Sequence, residues 1–227
     1  MRSRQRVADL TAKLRTLDVP FKANDNIAAH LGPGDLEAIE TEVQAAARLM
    51  LDALVIDTSS DHNTQETAKR VAKMFVREVF RGRYEPRPEV TDFPNARRLD
   101  ELYTVGPIEV RSCCSHHLVP ILGQAWVGVI PGERLIGLSK FSRLCAWIME
   151  RPQIQEEAAV MLADELEQLI SPRALAVVVR ANHFCMGWRG VRDAGTRMTT
   201  SVMRGLFLER PEVREEFLPI SRGQGFQ

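Results

Sequence analysis

Cysteine is scarce in this chain: four in 227 residues. So small a set, with no export signal, excludes a disulfide-stapled secreted scaffold and points to reduced thiols available to a metal. Net charge is absent as well. Thirty basic residues cancel thirty acidic ones, which leaves no bulk field to draw the protein onto nucleic acid, although a local basic pocket stays open. No apolar run approaches the roughly 20 residues that a membrane helix needs. The opening Met1-Arg2-Ser3-Arg4-Gln5-Arg6 leads into charged sequence, unlike a secretory signal. Val7, Leu10, Leu14 and Leu17 among arginines hint at a transit peptide, and Asp9 and Asp18 argue against one. The expectation is a cytoplasmic protein with neither a membrane nor a nucleic-acid partner. Internal repeats and low-complexity tracts are also missing.

What remains is an ordinary globular composition arranged in recognisable segments. Residues 1–34 read as a flexible leader closed by Gly32-Pro33-Gly34. Leu36, Ile39, Val43, Ala46, Met50 and Leu54 then recur at three- and four-residue steps, predicting an amphipathic helix from Asp35. Val71, Met74, Phe75 and Val79 predict a second, ended by Arg81-Gly82-Arg83 and Pro86. Strands are expected over 101–112, 124–130, 174–181 and 198–208, with helices over 138–149 and 153–170 separated at Arg151-Pro152. Helices, strands, a helix pair and strands again give an α+β fold with an antiparallel sheet. The domain reading is a leader (1–34), an N-terminal helical region (35–98), a catalytic domain (99–220) and a tail (221–227).

The scarce cysteines are not scattered. Cys113-Cys114-Ser115-His116-His117 packs two thiols and two imidazoles into five residues, and His183 and Cys185 form a second pair downstream. Cys114 and His117 are close enough in sequence to share an ion, and residues two apart at a strand end face the same side. Two ligands from one cluster and one from the other would leave zinc an open fourth position, with two histidines beside it for proton transfer. A closed structural site with Cys113 as fourth ligand is the rival. Cys145, in a helical apolar stripe, reads as core, and His30 and His62 as exposed. Lys140 and Arg143 share one side of a predicted helix start, a place suited to an anion, and Arg189 follows the second cluster closely. Glu156, in the first turn of the next helix, can serve the helix dipole or a ligand.

Several blocks together resemble the GTP cyclohydrolase I family: Thr67 to Met74, Cys114-Ser115-His116-His117-Leu118-Val119-Pro120, Gly137-Leu138-Ser139-Lys140 with Arg143, Gln153-Ile154-Gln155-Glu156, and His183-Phe184-Cys185-Met186 with Arg189-Gly190-Val191. The resemblance runs in order over about 36–220. It implies the tunnelling fold, an antiparallel sheet with helices packed on one face, assembled into a homo-decamer with active sites at subunit interfaces. It implies conversion of GTP and water to formate and 7,8-dihydroneopterin triphosphate, the entry to folate and other pterins. Zinc would be held by Cys114, His117 and Cys185. His116 and His183 would be the acid–base groups, with Ser139 assisting at the ribose. Glu156, with Gln155 nearby, would hold the guanine edge. Lys140, Arg143 and Arg189 would bind the triphosphate, with Arg70 reaching across from a neighbouring subunit.

The chain departs from the family pattern at three places. Ser115 stands where the family has glutamate and cannot carry its charge, Ala68 replaces a proline, and Met198 occupies the place of a small hydroxyl residue. Two other readings follow: a tunnelling-fold paralogue acting on a modified purine, and a non-catalytic purine- or pterin-binding regulator. A reductase of deazapurine synthesis, with a nucleophilic cysteine and no zinc, sits poorly with the His183/Cys185 pair.

Overall fold

The structure is a computed structural model that describes residues 2–221. All but the first residue of the expected tail therefore lies outside the described residues. The chain divides into two compact units between Pro86 and Arg87, twelve residues before the boundary expected at 98/99. No helix among the described residues is long and apolar enough to cross a membrane.

The first unit is helical: α1 (Arg2–Thr16), α2 (Asp35–Ala53), and α3 (Thr67–Lys73), which runs through a π-helical turn at Met74–Val79 into α4 (Arg81–Tyr84). The flexible leader expected over 1–34 is thus corrected. Leu10 and Leu14, one turn apart on α1, bury with Ile27 against Phe21, Ile39 and Tyr84. The segment after α1 is fixed by Arg83, whose guanidinium donates to the carbonyls of Phe21 (3.0 Å), Ala23 (3.2 Å) and Asp25 (2.9 Å). The apolar faces also move. α2 buries Ala38, Ala47 and Leu51 while Met50 and Leu54 stay more than half exposed. α3 and the π-turn bury Ala68, Ala72 and Val76 at steps of four. Alanine at the contact lets two helices approach closely, so the small residues take the interior and the larger ones are left outside.

The second unit is built on a five-stranded sheet. In chain order its elements are β1 (Asp92–Pro94), β2 (Tyr103–Cys114), β3 (Pro120–Ile130), β4 (Arg134–Ile136), α5 (Leu138–Met149), β5 (Pro152–Gln153), α6 (Gln155–Ile170), β6 (Ala174–His183), α7 (Phe184–Gly187), β7 (Arg197–Gly205), α8 (Leu206–Glu209) and α9 (Pro211–Ser221). The sheet order is β5-β2-β3-β6-β7, antiparallel except for the two-residue β5, which runs parallel to β2; β1 and β4 form a separate ribbon. One sheet face carries Ile108, Val110, Val127, Val129, Val177 and Val179 against Phe141, Leu144 and Ile148 of α5 and Leu162 and Leu166 of α6. Alternation along the strands makes this the drier face. The α+β expectation holds: the antiparallel sheet and the pair of long helices on one face expected of the tunnelling fold are both present.

The opposite face is covered at one end. Phe207 of α8 and Phe217 of α9 are fully buried against Trp126, Ala176 and Val178, with their rings 5.5 Å apart. The expected strand to residue 208 stops earlier, because Gly205 (φ 58) turns the chain where any side chain would strike the Arg173 carbonyl.

Candidate active site

The site forms where β2 and β6 end beside the start of β3. Register pairs Cys113 with Pro120 and Ile121 with His183, so the two sequence clusters arrive at one corner of the sheet. Between β2 and β3 the chain reverses in a tight turn. Cys114 N–H donates to the Val119 carbonyl, Leu118 N–H donates back to Cys114, and Leu118 takes a left-handed conformation (φ 52). His116 and His117 project from this turn, both exposed. Ser115 donates its backbone N–H to the Gln153 carbonyl of β5 at 3.0 Å, so the departing position is tied down by its main chain.

Cys114, His117 and Cys185 come together with ligand atoms within 4.8 Å of one another. Cys114 is buried, Cys185 half-buried and His117 open to solvent. Burial, and then the neighbouring Cys114 sulfur, push the Cys185 thiol up, while the Arg189 guanidinium acts in the opposite sense. Cys113 is not part of the group. Strand alternation turns it to the other side of β2 from Cys114, and burial raises its thiol to about 12. His116 lies beside the group, its Nδ1 3.8 Å from Cys114 Sγ. Arg189 donates to His117 Nε2 at 3.0 Å, bringing a cation to the same place.

His183 stands at the mouth of β6. Burial pulls its imidazole below the ordinary range, and the Glu156 carboxylate acts in the opposite sense. Its Nε2 lies 2.8 Å from Oε1 of Gln155. Gln155 is buried, its amide nitrogen directed to the Val179 and Met198 carbonyls and the Thr200 hydroxyl. That amide is therefore turned to His183 and the sheet, whereas the family resemblance implies a place near the guanine edge. Glu156, the next residue, is exposed in the first turn of α6. Position 198 meets Gln155 through its main-chain oxygen.

The remaining cations stand on other elements. Ser139, Lys140 and Arg143 occupy the first turns of α5, where no side chain caps the helix; Lys140 Nζ donates to the Glu89 carbonyl at 3.0 Å and Arg143 is exposed. Arg70 is exposed on α3, in the first unit. Thr200 and the Val179 carbonyl were not anticipated. A hydroxyl two residues into a polar strand carries no signal of its own, and a main-chain acceptor carries none at all.

The arrangement combines a thiol–imidazole ligand set, adjacent imidazoles, a carboxylate and cations. Residues 43–222 match the family model described as GTP cyclohydrolase I. GTP cyclohydrolase 1 of Yersinia enterocolitica is 38% identical over 192 residues, 84% of this chain and 87% of its own. That of Aliivibrio salmonicida is 36% identical over 205 residues, 90% of each chain. That of Edwardsiella ictaluri is 38% identical over 90% of this chain and 89% of its own. With the match spanning most of its length and the thiol–imidazole corner intact, the chain belongs to the GTP cyclohydrolase I family.

Proposed function

We propose that the protein is a zinc-dependent GTP cyclohydrolase I, converting GTP and water to formate and 7,8-dihydroneopterin triphosphate. The observation that carries the reading is the convergence of Cys114, His117 and Cys185 within 4.8 Å in a chain of this family. Two thiols and an imidazole suit zinc's preference for sulfur and nitrogen, and three protein ligands are the number found where a fourth position serves catalysis. Bound there, zinc would supply a water activated near neutral pH for hydration of guanine C8, itself a poor electrophile.

The chain's own residues do the rest. His116 and His183 move protons at N7 beside C8 and at the opening ring, and the Ser139 hydroxyl assists at the ribose. Glu156 accepts from the guanine N–H groups and rejects adenine, which would leave the carboxylate unpaired. Arg189, Lys140 and Arg143 hold the triphosphate, joined by Arg70 of a neighbouring subunit. Charge-assisted hydrogen bonds are worth about 1.5–3 kcal/mol each. Glu156→Gln should accordingly lower kcat/KM for GTP roughly 10- to 100-fold with metal content unchanged. Full activity in that variant would remove Glu156 from base recognition.

We further infer a cytoplasmic homo-oligomer, a decamer by family resemblance. Among the described residues β7 ends the sheet, and this edge and the exposed Leu49, Met50, Leu54 and Val55 support association; a single-chain mass by light scattering would refuse it. The function itself is tested by incubating zinc-loaded protein with GTP and oxidising the product to a fluorescent pterin. Metal-bound protein that binds GTP without forming pterin would instead be a regulatory purine-binding protein, and turnover of a modified purine alone would indicate the paralogous enzyme.

A further inference from the structure

The Gln155 side chain is enclosed, with 3% of its surface exposed, and its neighbours alone orient the amide. Nε2 lies 3.1 Å from the Val179 carbonyl oxygen, 3.3 Å from that of Met198 and 3.1 Å from Thr200 Oγ1. Carbonyl oxygens only accept, so the NH2 group must stand on that side and Oε1 on the other. Oε1 faces His183 Nε2 at 2.8 Å. An amide oxygen cannot donate, so this bond exists only when Nε2 carries a hydrogen. The neutral Nε2–H ring and the imidazolium both satisfy it; the Nδ1–H tautomer would set two lone pairs against each other.

We propose that Gln155 is a positioning residue for His183, holding the ring in one tautomer and one orientation through Nε2–H and leaving Nδ1 as the nitrogen not engaged by the amide. The inference rests on His183 acting as an acid–base group in GTP hydrolysis. It assigns Gln155 a role through another residue, in place of contact with the guanine edge. The anchoring points are stiff: Gln155 opens α6, Val179 lies in β6 between two paired strands, and Thr200 pairs with Val179 across β6 and β7. A histidine's unused nitrogen, fixed in this way by a neighbour, sets both tautomer and ring orientation.

The test uses zinc-loaded full-length protein labelled with 15N-histidine and free of substrate. The chain has five histidines, so few imidazole signals arise, and those of His183 are assigned by their loss in His183→Gln. At a pH where the ring is neutral, wild-type His183 should show a protonated Nε2 and a bare Nδ1. Gln155→Met, of similar length without the amide, should show both tautomers. Its kcat for GTP should fall about 10- to 100-fold, with KM and zinc content unchanged. A wild-type ring protonated on Nδ1, or a Gln155→Met ring that keeps the pure Nε2–H form, overturns the proposal. So does a rise in KM at preserved kcat, the mark of an amide that binds substrate directly. The wild-type spectrum needs neither turnover nor a stable variant, so it decides the point even where GTP is not the substrate or Gln155→Met does not fold.

Discussion

Cys185→Ala is expected to lose both bound zinc and activity, falling to background in GTP turnover, while Cys113→Ala keeps both. The two cysteines differ in what surrounds them. Cys185 stands within 4.8 Å of the Cys114 and His117 ligand atoms, and removing it leaves two donors, too few to hold zinc against buffer. Cys113 is adjacent in sequence to Cys114, but strand alternation turns it to the other side of β2 and it is not among the clustered donors. Alanine there removes a small apolar contact and no ligand. Metal analysis of the two purified variants decides the matter. Zinc lost from Cys113→Ala would mean a closed four-ligand site and a structural ion.

The second large effect is expected at Gly123. Here β3 passes so close to β6 that a Cβ would stand 2.1 Å from the Arg180 carbonyl oxygen and 2.5 Å from Cα and Cβ of Ala181. Most of these are main-chain atoms of the central ladder and cannot swing aside, so Gly123→Ala must push the strands apart. Overpacking of this kind costs about 1–3 kcal/mol, and more where the backbone itself must shift. Gly123 also lies two residues along β3 from Ile121, the partner of His183. The same displacement therefore moves the arm that carries Cys185, and zinc affinity should fall together with stability. Urea unfolding and zinc titration of the variant check both. An unchanged midpoint would show that the ladder relaxes without cost.

Much of this corner is legible in the sequence because its chemistry is local. Cys114 and His117 are separated by a single turn, and His183 and Cys185 by two residues at a strand end, so ordinary strand and turn geometry brings donors together once β2 and β6 flank β3. The α5 boundaries follow equally from local cues: Ser139 at its opening, an apolar stripe through Leu144 and Ile148, and Arg151-Pro152 beyond its end. What the sequence conceals depends on distant partners. α1 reads as a leader because its two buried leucines find their apolar neighbours beyond residue 18, and because Arg83 fixes a segment about sixty positions upstream. The faces of α2 and α3 are misread because large apolar residues suggest the interior, while close helix packing selects Ala47, Ala68 and Ala72. The family resemblance sets Gln155 near the base together with Glu156, but on a helix consecutive side chains diverge by about a quarter turn or more. One therefore faces His183 and the other solvent.

In the proposed reaction, water opens the guanine ring at C8 and that carbon leaves as formate. Its most direct test is GTP carrying 13C at C8 alone, incubated with zinc-loaded protein and followed by NMR. The expected result is 13C-formate appearing in step with an unlabelled dihydropterin triphosphate, abolished in Cys185→Ala. Label that stays in the purine, or dihydropterin formed without 13C-formate, would contradict it.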